Sequence, residues 1–277
     1  CLTNIVLDIL FVVGFHMSVA GAAWATIMSQ TVSAVFVLFV LTRTKEIYRL
    51  FFSKIRLDGR MLKRIIRIGL PAGLQSVMYS SSNLIIQSSV NSLGTDTVAA
   101  WTAYGKIDVL FWMIINALGI SITTFVGQNY GAGKWDRVRK GVRVCLGISF
   151  GVTLFLTVVL FNFGIYIFQI FTDDAAVLAI GSEILHFLVP SFVTYVVIEI
   201  YSGALRGMGD SWLPMLITMF GVCALRVLWI LIAVPIHRDI TTVVFSYPLT
   251  WSVTTVLFLI YYHRFGPMRH KPRTPKP

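Results

Sequence analysis

The sequence predicts an all-α, polytopic membrane protein, and three observations point to this class. Apolar residues make up 56% of the 277 residues and charged residues only 13%, proportions that lie outside the usual range of soluble domains. The mean hydropathy is +0.79. Apolar stretches of about 20 residues, the length that crosses about 30 Å of hydrocarbon as a helix, recur along the whole chain.

Seven of these stretches are long enough to span a membrane. A preceding stretch, from Leu2 to Gly14, is too short to span alone, so we interpret it as the end of another helix. The sequence therefore predicts about eight transmembrane helices, the first of them truncated. The seven predicted spans are Ser18–Leu41, Ile65–Val90, Thr97–Phe125, Val138–Phe168, Val177–Leu205, Trp212–Val234 and Thr242–Tyr262.

The start of the chain and its cysteines add two expectations. The first residue is Cys1 rather than Met, and no charged signal-peptide region precedes the apolar stretch, so we expect a fragment. Cys1, Cys145 and Cys223 stand singly in apolar surroundings without metal-type or disulfide spacing, which is typical of small packing residues.

The net charge of +11 is distributed over alternate connectors. Because basic loops stay in the cytoplasm, we expect a protein of the cell inner (plasma) membrane whose C-terminus is cytoplasmic. Positive charge distributed in this way does not indicate nucleic-acid binding. The other connectors carry Arg238 together with Asp96, Asp173, Asp174 and Asp239. The basic connectors contain Arg43, Lys45, Arg49, Lys54, Arg56, Arg60, Lys63, Arg64, Arg67, Lys134, Arg137, Arg139, Lys140, Arg143, Arg206, Arg264, Arg269, Lys271, Arg273 and Lys276.

These patterns divide the chain into four parts. Residues 1–41 hold two helices, and residues 42–64 alternate basic and apolar side chains, as in an amphipathic linker on an anionic inner leaflet. Residues 65–264 supply six spans for a six-helix bundle. The basic, proline-containing tail, residues 265–277, is expected to be disordered.

Two glycine-rich turns separate predicted helices. In the run from Val126 to Lys134, Gly127, Gly131 and Gly133 are expected to provide the positive backbone angles of a tight turn. Gly207 and Gly209 are expected to do the same before the next helix, with Asp210 or Ser211 as its cap.

Four motifs, in this order and spacing, carry a resemblance to a known family. By these four motifs taken together, the chain resembles the multidrug and toxic compound extrusion (MATE) transporters over essentially its whole length. The resemblance implies two pseudo-symmetric six-helix lobes, with this chain holding the last two helices of the N-lobe and the whole C-lobe. The motifs are Val-Ala-Gly-Ala-Ala-Trp-Ala-Thr (19–26), Leu-Pro-Ala-Gly (70–73), Thr-Phe-Val-Gly-Gln-Asn-Tyr-Gly-Ala-Gly (124–133) and Ala-Leu-Arg-Gly-Met-Gly-Asp-Ser-Trp-Leu-Pro-Met (204–215).

A weak internal repeat agrees with two lobes. Asn4 to Ser33 and Arg226 to Thr255 are both helix pairs that end a six-helix set, 222 residues apart. That period suits a duplicated lobe.

Asp8 is the first candidate for function, because a charge in hydrocarbon costs several kcal/mol. Asn4 and Asp8 share one helix face, as do Ala22 and Thr26 on the next helix, at similar depth if the turn lies near 15–17. A carboxylate, an amide, a hydroxyl and the Ala22 carbonyl are hard-oxygen ligands suited to Na⁺, or to a proton on Asp8.

The resemblance supports the same four residues, which match the N-lobe cation site of some family members. That family pattern adds an aspartate on the first helix, which this chain lacks. A helix-capping or pairing role for Asp8 is the alternative.

The ionisable candidates deep inside predicted spans of the C-lobe are Lys106, Asp108, Glu199 and Arg226, with Glu183 and His186 nearer an end. Lys106 and Asp108 point to different faces, so we expect Glu199 to pair with Lys106 and Asp108 with Arg226, in a transport role or a structural one. Some family members have an acidic residue on the helix that here carries only Gln75, so the resemblance does not support a cation site there.

Polar and aromatic side chains near these charges predict a cavity. Gln75, Tyr79, Asn83 and Gln87 follow one another at four-residue spacing, which places them on one helix face that either lines a cavity or packs on other helices. With Tyr104, Trp112 and Asn116 they are typical of a lining for flat, cationic or amphiphilic ligands. Pro190 is expected to kink its helix and is a candidate hinge.

The predicted function is a secondary active antiporter that exports organic compounds in exchange for Na⁺ or H⁺ by alternating access. A lipid-linked sugar flippase of the same superfamily and an inactive transporter remnant are the alternatives. No pattern typical of an intramembrane enzyme is visible, and no cofactor besides the coupling ion is expected. The expected partners are small organic substrates, the bilayer and N-lobe helices outside this chain; we expect a monomer that binds no nucleic acid.

Overall fold

The computed structural model describes residues 2–46, 48–54 and 56–264, which form helices joined by short connectors, with no strand among them. The chain divides into two compact units, Cys1–Leu62 and Lys63–Pro277. The expected disorder of the tail, residues 265–277, concerns a segment outside the described residues.

The first unit is a helical hairpin. Helix α1 (Leu2–Asp8) continues into a π-helix (Ile9–Gly14), and α2 (Ser18–Arg43) follows. The predicted turn at residues 15–17 is confirmed, with positive φ angles of 52° at His16 and 40° at Ser18. Gly21 lies against the other arm, because a Cβ there would be 3.1 Å from the Cβ of Phe11.

The second unit contains the seven helices α4 to α10 and most of α3, which begins at Gly59, four residues before the second unit begins at Lys63. Helix α7 and its neighbours surround the core, in which the rings of Phe111 and Phe192 stack with centroids 4.1 Å apart. The bounds are α3 (Gly59–Asn91), α4 (Thr95–Gly131), α5 (Trp135–Phe168), α6 (Ala175–Leu188), α7 (Phe192–Gly207), α8 (Trp212–Thr218), α9 (Leu225–Ile236) and α10 (Ile240–Arg264).

The predicted class, an all-α polytopic membrane protein, is confirmed. Within the described residues six helical stretches are long and apolar enough to cross a membrane, and two of them combine shorter helices: α6 with α7, and α8 with α9. Helix α3 has 33 residues and the necessary length, but its glutamines, serines and asparagines make it more polar than those six.

The linker is shorter than the predicted residues 42–64. Helix α2 extends to Arg43, and α3 already begins at Gly59 because Asp58 caps it: the Asp58 carboxylate accepts hydrogen bonds from the backbone N–H groups of Arg60 (2.8 Å) and Met61 (3.1 Å). Among the described residues between α2 and α3, Phe52–Lys54 form a 3₁₀ turn.

Pro190 interrupts its helix, as predicted. A 3₁₀ segment, Val189–Ser191, separates α6 from α7, because proline supplies no N–H for the helical hydrogen-bond ladder. The hydroxyl of Thr157 on α5 donates to the carbonyl of Val189 at this break (3.3 Å).

The predicted roles of the glycines are only partly correct. Gly133 (φ 70°) and Gly209 (φ 87°) do have positive φ angles. Gly127 and Gly131 instead belong to α4, and Gly207 is the last residue of α7, so the turn interpretation was wrong for these three.

Two of the misassigned glycines make a helix crossing. A Cβ on Gly207 would be 2.6 Å from the carbonyl oxygen of Thr123 and 3.1 Å from the backbone nitrogen of Gly127. Gly203, one turn earlier, is also close to α4: a Cβ there would be 2.9 Å from the carbonyl oxygen of Gly119, and the Thr123 hydroxyl donates to the Gly203 carbonyl (3.0 Å). Small residues at four-residue spacing thus bring α4 and α7 into backbone contact.

The expected cap of α8 is also absent. Ser211 precedes α8 without making a side-chain capping bond, and the Asp210 carboxylate accepts a hydrogen bond from the hydroxyl of Tyr261 on α10 (2.6 Å). Asp210 therefore fastens the connector between α7 and α8 to the last turn of α10.

Candidate functional site

A cavity of about 730 Å³ lies within the second unit, between α3, α4, α7, α9 and α10. Its wall combines aromatic rings with two carboxylates, those of Asp108 and Glu199, and two guanidinium groups, those of Arg206 and Arg226. The lining residues are Ala72, Gln75, Ser76, Tyr79, Asn83, Ile86, Gln87, Trp101, Asp108, Trp112, Asn116, Ile120, Tyr195, Glu199, Arg206, Arg226, Tyr247 and Trp251.

The polar side chains of α3 form one wall of this cavity. Gln75, Tyr79, Asn83 and Gln87 all line it, because residues four apart in a helix share a face. The structure therefore places the predicted stripe on a cavity and not against lipid.

Asp108 lies on the α4 wall and is held by two neutral donors. Its carboxylate accepts hydrogen bonds from the indole N–H of Trp112 (2.5 Å) and the hydroxyl of Tyr104 (3.3 Å). The expected pairing with Arg226 was wrong, since no ion pair joins the two in the described part of the chain. Asp108 thus faces the cavity with hydrogen-bond partners but without a compensating positive charge.

Glu199 lies on the α7 wall and has a cationic partner. Its Oε1 is 3.3 Å from Nη2 of Arg206, and Tyr195 donates a longer hydrogen bond of 3.4 Å to Oε2. The expected pairing of Glu199 with Lys106 was wrong. Arg206 follows Glu199 by two helical turns on the same helix face, so the nearer base neutralises the carboxylate.

Arg226, only 3% exposed, contributes a positive charge from α9. Its guanidinium lies over the ring of Tyr247 (4.0 Å to the centroid) and donates to the hydroxyl of Thr250 (3.1 Å). Its Nε has no hydrogen-bond partner among the described residues. Stacking on an aromatic face stabilises such a cation in place of a carboxylate.

Two predicted cleft residues do not line the cavity. Tyr104 is buried behind Asp108, and Lys106 is exposed on another side of α4. Two residues along a helix are turned by about 200°, so Lys106 points almost directly away from Asp108. The other eight predicted cleft residues do line it: Gln75, Tyr79, Asn83, Asp108, Trp112, Asn116, Glu199 and Arg226.

The prediction missed several lining residues that follow from helical spacing. Tyr195 precedes Glu199 by one turn, and Arg206 follows it by two turns on the same face. Tyr247 and Trp251, four residues apart on α10, complete the aromatic wall. Their rings are 5.4 Å apart, and Trp251 also contacts Tyr195 (5.3 Å).

The four residues of the predicted cation site lie in the first unit and form two pairs. Asn4 and Asp8 are half-buried on α1, whereas Ala22 and Thr26 are exposed on α2, where Gly21 and Ala25 are the buried residues. The Thr26 hydroxyl donates to the Ala22 carbonyl (2.9 Å). No hydrogen bond joins Asp8 to either of these residues in the described part of the chain, so the site stays a prediction.

A sequence model of one transporter family, MatE, matches residues 71–232, more than half of the chain. The matched region includes α4, α5, α6 and α7 completely and most of the cavity wall. The chain belongs to the MatE family. The predicted resemblance to MATE transporters is thereby confirmed, and the members of this family are transporters.

Individual relatives agree with the MatE assignment. The chain is 26% identical over 261 residues to the probable multidrug resistance protein YoeA of Bacillus subtilis (strain 168), covering 92% of this chain and 56% of YoeA. It is 24% identical over 210 residues to the multidrug export protein MepA of Staphylococcus aureus (strain N315), covering 75% of this chain and 46% of MepA. The chain thus spans about half the length of these relatives.

A solved structure supports the MatE fold. An outward-facing multidrug resistance MATE family transporter of the MOP superfamily superimposes with a TM-score of 0.86 at 22% identity, covering 96% of this chain and 60% of that one. At this identity the comparison shows the fold alone.

Proposed function

We propose that the protein acts as a secondary active transporter that exports organic, often cationic or amphiphilic, compounds in exchange for Na⁺ or H⁺. The observation that carries this proposal is the cavity of about 730 Å³, whose aromatic wall surrounds the Asp108 carboxylate. The names of the multidrug export relatives support the same substrate class.

Asp108 is the proposed anchor for the positive charge of a substrate. Its present partners, Trp112 and Tyr104, are neutral hydrogen-bond donors. A cation that enters the cavity can therefore form an ion pair with Asp108, whereas Glu199 is already paired with Arg206. The rings of Trp112, Trp101 and Tyr195 offer faces for a flat substrate, and a cation near such rings gains about 0.5–2 kcal/mol.

The balance of charges in the cavity argues for an exporter of organic cations over a lipid-linked sugar flippase. A flippase for anionic lipid-linked sugars would be expected to have a strongly cationic cavity. Here the bases Arg206 and Arg226 are matched by the acids Asp108 and Glu199.

Ion coupling is proposed at Asp8, with Asn4, the Ala22 carbonyl and the Thr26 hydroxyl as further oxygen ligands. Binding of Na⁺ or a proton there would favour the conformation that releases substrate to the outside. This requires that the ion binds the two conformations with different affinity. The proposal includes a cell inner (plasma) membrane location, a cytoplasmic C-terminus and a monomeric protein.

The substrate part of the proposal is tested by ethidium binding to the purified full-length protein. Replacing Asp108 by Asn removes one charge while keeping the shape of the side chain, and should weaken binding about tenfold. The control is Asp96→Asn, an exposed acid at the start of the same helix. Equal affinities for the parent and Asp108→Asn would refute the role of Asp108.

The coupling part is tested in proteoliposomes under an imposed Na⁺ or H⁺ gradient. We expect Asp8→Asn to abolish gradient-driven export of ethidium while leaving its equilibrium binding unchanged. Export by Asp8→Asn at the parent rate would show that Asp8 does not couple the ion. Export by the parent with neither gradient would contradict antiport itself.

A further inference from the structure

A second cavity, of about 410 Å³, lies between α5, α7 and α10 of the second unit. It is separate from the aromatic cavity and shares none of its lining residues. Two arginines and a histidine line it beside two tyrosines, and no acidic side chain of the described residues does. The lining residues are Arg139, Val142, Arg143, Leu146, Tyr201, Tyr262 and His263.

The aromatic side of this basic cavity is built as a unit. The rings of Tyr201 and Tyr262 stack with centroids 4.2 Å apart and an angle of 13° between their planes. The Tyr201 hydroxyl is 3.3 Å from Nε2 of His263. Because Tyr201 is buried, its contacts hold the side chains of Tyr262 and His263 in place at the end of α10.

The basic side comes from consecutive turns of α5. Arg139 and Arg143 are four residues apart and lie on one helix face, where like charges repel each other by a few tenths of a kcal/mol. Both arginines line the basic cavity together with Tyr262. An anion in the cavity would interact favourably with both charges.

The basic cavity lies at one end of the helix bundle. Arg139 and Arg143 belong to the first turns of α5, Tyr201 to the last two turns of α7, and His263 to the last turn of α10. Arg143 follows the first residue of α5 by eight positions, or about 12 Å. Tyrosine and arginine near helix ends are typical of the headgroup level of a bilayer.

We propose that the basic cavity binds a phosphate group, carried by an anionic phospholipid or free in solution. Arginine forms paired hydrogen bonds with phosphate oxygens, and the tyrosine hydroxyls can donate further ones. Val142 and Leu146 supply an apolar surface beside the charges, which suits the start of an acyl chain and favours the phospholipid. This site does not depend on the transport proposal.

The test measures binding of phosphatidylglycerol to the purified protein in detergent by native mass spectrometry. Arg143→Gln should weaken binding about tenfold, because it removes a charge-assisted hydrogen bond to phosphate. Lys134→Gln, the matched control, removes one charge from an exposed position in the turn before α5 and outside the basic cavity. It should change the affinity less than about twofold.

Further measurements identify the source of the phosphate. Displacement of phosphatidylglycerol by inorganic phosphate would show that the free ion binds, and retention would show that the lipid is required. Arg143→Lys, which keeps the charge, should bind more tightly than Arg143→Gln if both keep the parent melting temperature. Parent-like binding by Arg143→Gln, or equal losses in Arg143→Gln and Lys134→Gln, would overturn the proposal.

Discussion

Asp108 and Glu199 carry the same charge in one cavity but have different partners. Arg206 neutralises Glu199 at 3.3 Å, whereas Asp108 has only the indole of Trp112 and the hydroxyl of Tyr104. A charge inside a membrane protein is costly unless it is paired. Asp108 is therefore the acid that gains more from a cationic ligand.

The hydrogen bond from Trp112 can be tested apart from ligand binding. Trp112→Phe keeps an aromatic ring but removes the donor to Asp108, and we expect a loss of about 1.5–3 kcal/mol in the free energy of unfolding. Trp101→Phe is the control, because Trp101 lines the same cavity and its indole N–H makes no hydrogen bond in the described residues. The measurement is chemical unfolding in detergent; equal losses in both variants would contradict a special contribution from this bond.

At the level of single residues, the sequence predicted which helix faces are polar but not which charges meet. Spacing along one helix is fixed, so Gln75, Tyr79 and Asn83 could be placed together on one wall. The pairing of charges depends on how neighbouring helices are rotated. Spacing alone therefore failed for Lys106 and Arg226, and a partner on the same helix, Arg206, was overlooked for Glu199.

The crossing of α4 and α7 determines how the wall that carries Glu199 faces the one that carries Asp108. Gly119, Thr123 and Gly127 on α4 meet Gly203 and Gly207 on α7 at backbone distance. Glu199 itself lies over Gly119. A larger residue at this crossing would therefore disturb the cavity as well as the packing.

A methyl group placed in the crossing should show its cost. In Gly203→Ala the new Cβ would be 2.9 Å from the carbonyl oxygen of Gly119, and we expect the free energy of unfolding to fall by about 1–3 kcal/mol. Gly147→Ala on α5 is the control, since no atom lies within 4 Å of the added Cβ. Thermal unfolding in detergent compares the two; a Gly203→Ala protein as stable as Gly147→Ala would show that the crossing tolerates separation.

The turn between α4 and α5 requires glycine at one position only. Gly133 has a φ of 70°, where any other residue costs about 1–2 kcal/mol, so Gly133→Ala should destabilise the protein by that amount. Gly131, the last residue of α4, has open space around an added Cβ. Gly131→Ala should therefore leave the melting temperature nearly unchanged, and a larger loss at 131 than at 133 would contradict this assignment.

Helix existence was predictable, whereas helix ends and glycine roles were not. Apolar length alone predicts a spanning helix, and the helices after α3 agree with the predicted spans. The start of α3 depended on a local carboxylate cap at Asp58 that hydropathy does not detect. A glycine that allows a turn and a glycine that allows close packing are the same residue type, so Gly207 was assigned the wrong role.

The whole molecule is a multi-pass membrane protein whose connectors alternate in charge. In the second unit the basic clusters near Lys134, Arg206 and Arg264 fall on alternate connectors, and helices that reverse direction bring alternate connectors to the same end of a bundle. This bias predicts that the end with the basic connectors stays in the cytoplasm.

Cysteine labelling tests this orientation. In a protein whose native cysteines are replaced by serine, Ser92→Cys lies in the turn between α3 and α4 and Ala132→Cys in the turn between α4 and α5, both exposed. A membrane-impermeant maleimide should label Ser92→Cys in intact cells and Ala132→Cys only after permeabilisation. The reverse pattern would invert the proposed topology.

At this scale the sequence predicted class, family and helix order, because these depend on summed properties such as hydropathy and charge bias. The repeat stays a prediction, with which the turns at residues 15–17 and 237–239 agree because they are separated by the same 222 residues as the paired segments. The cation site at Asp8 could not be predicted as firmly. Ligand convergence depends on how far α2 is rotated about its axis, and here Gly21 and Ala25 face inward while Ala22 and Thr26 are exposed.

The break at Pro190 has an energetic consequence for movement within the bilayer. A bent helix in lipid ordinarily leaves a carbonyl without a donor, at a cost of several kcal/mol. Here the hydroxyl of Thr157 donates to the carbonyl of Val189, and that of Thr255 donates to the carbonyl of Thr194 (2.6 Å). These two bonds tie the break to α5 and α10, so a tilt of α6 relative to α7 would have to strain or break them.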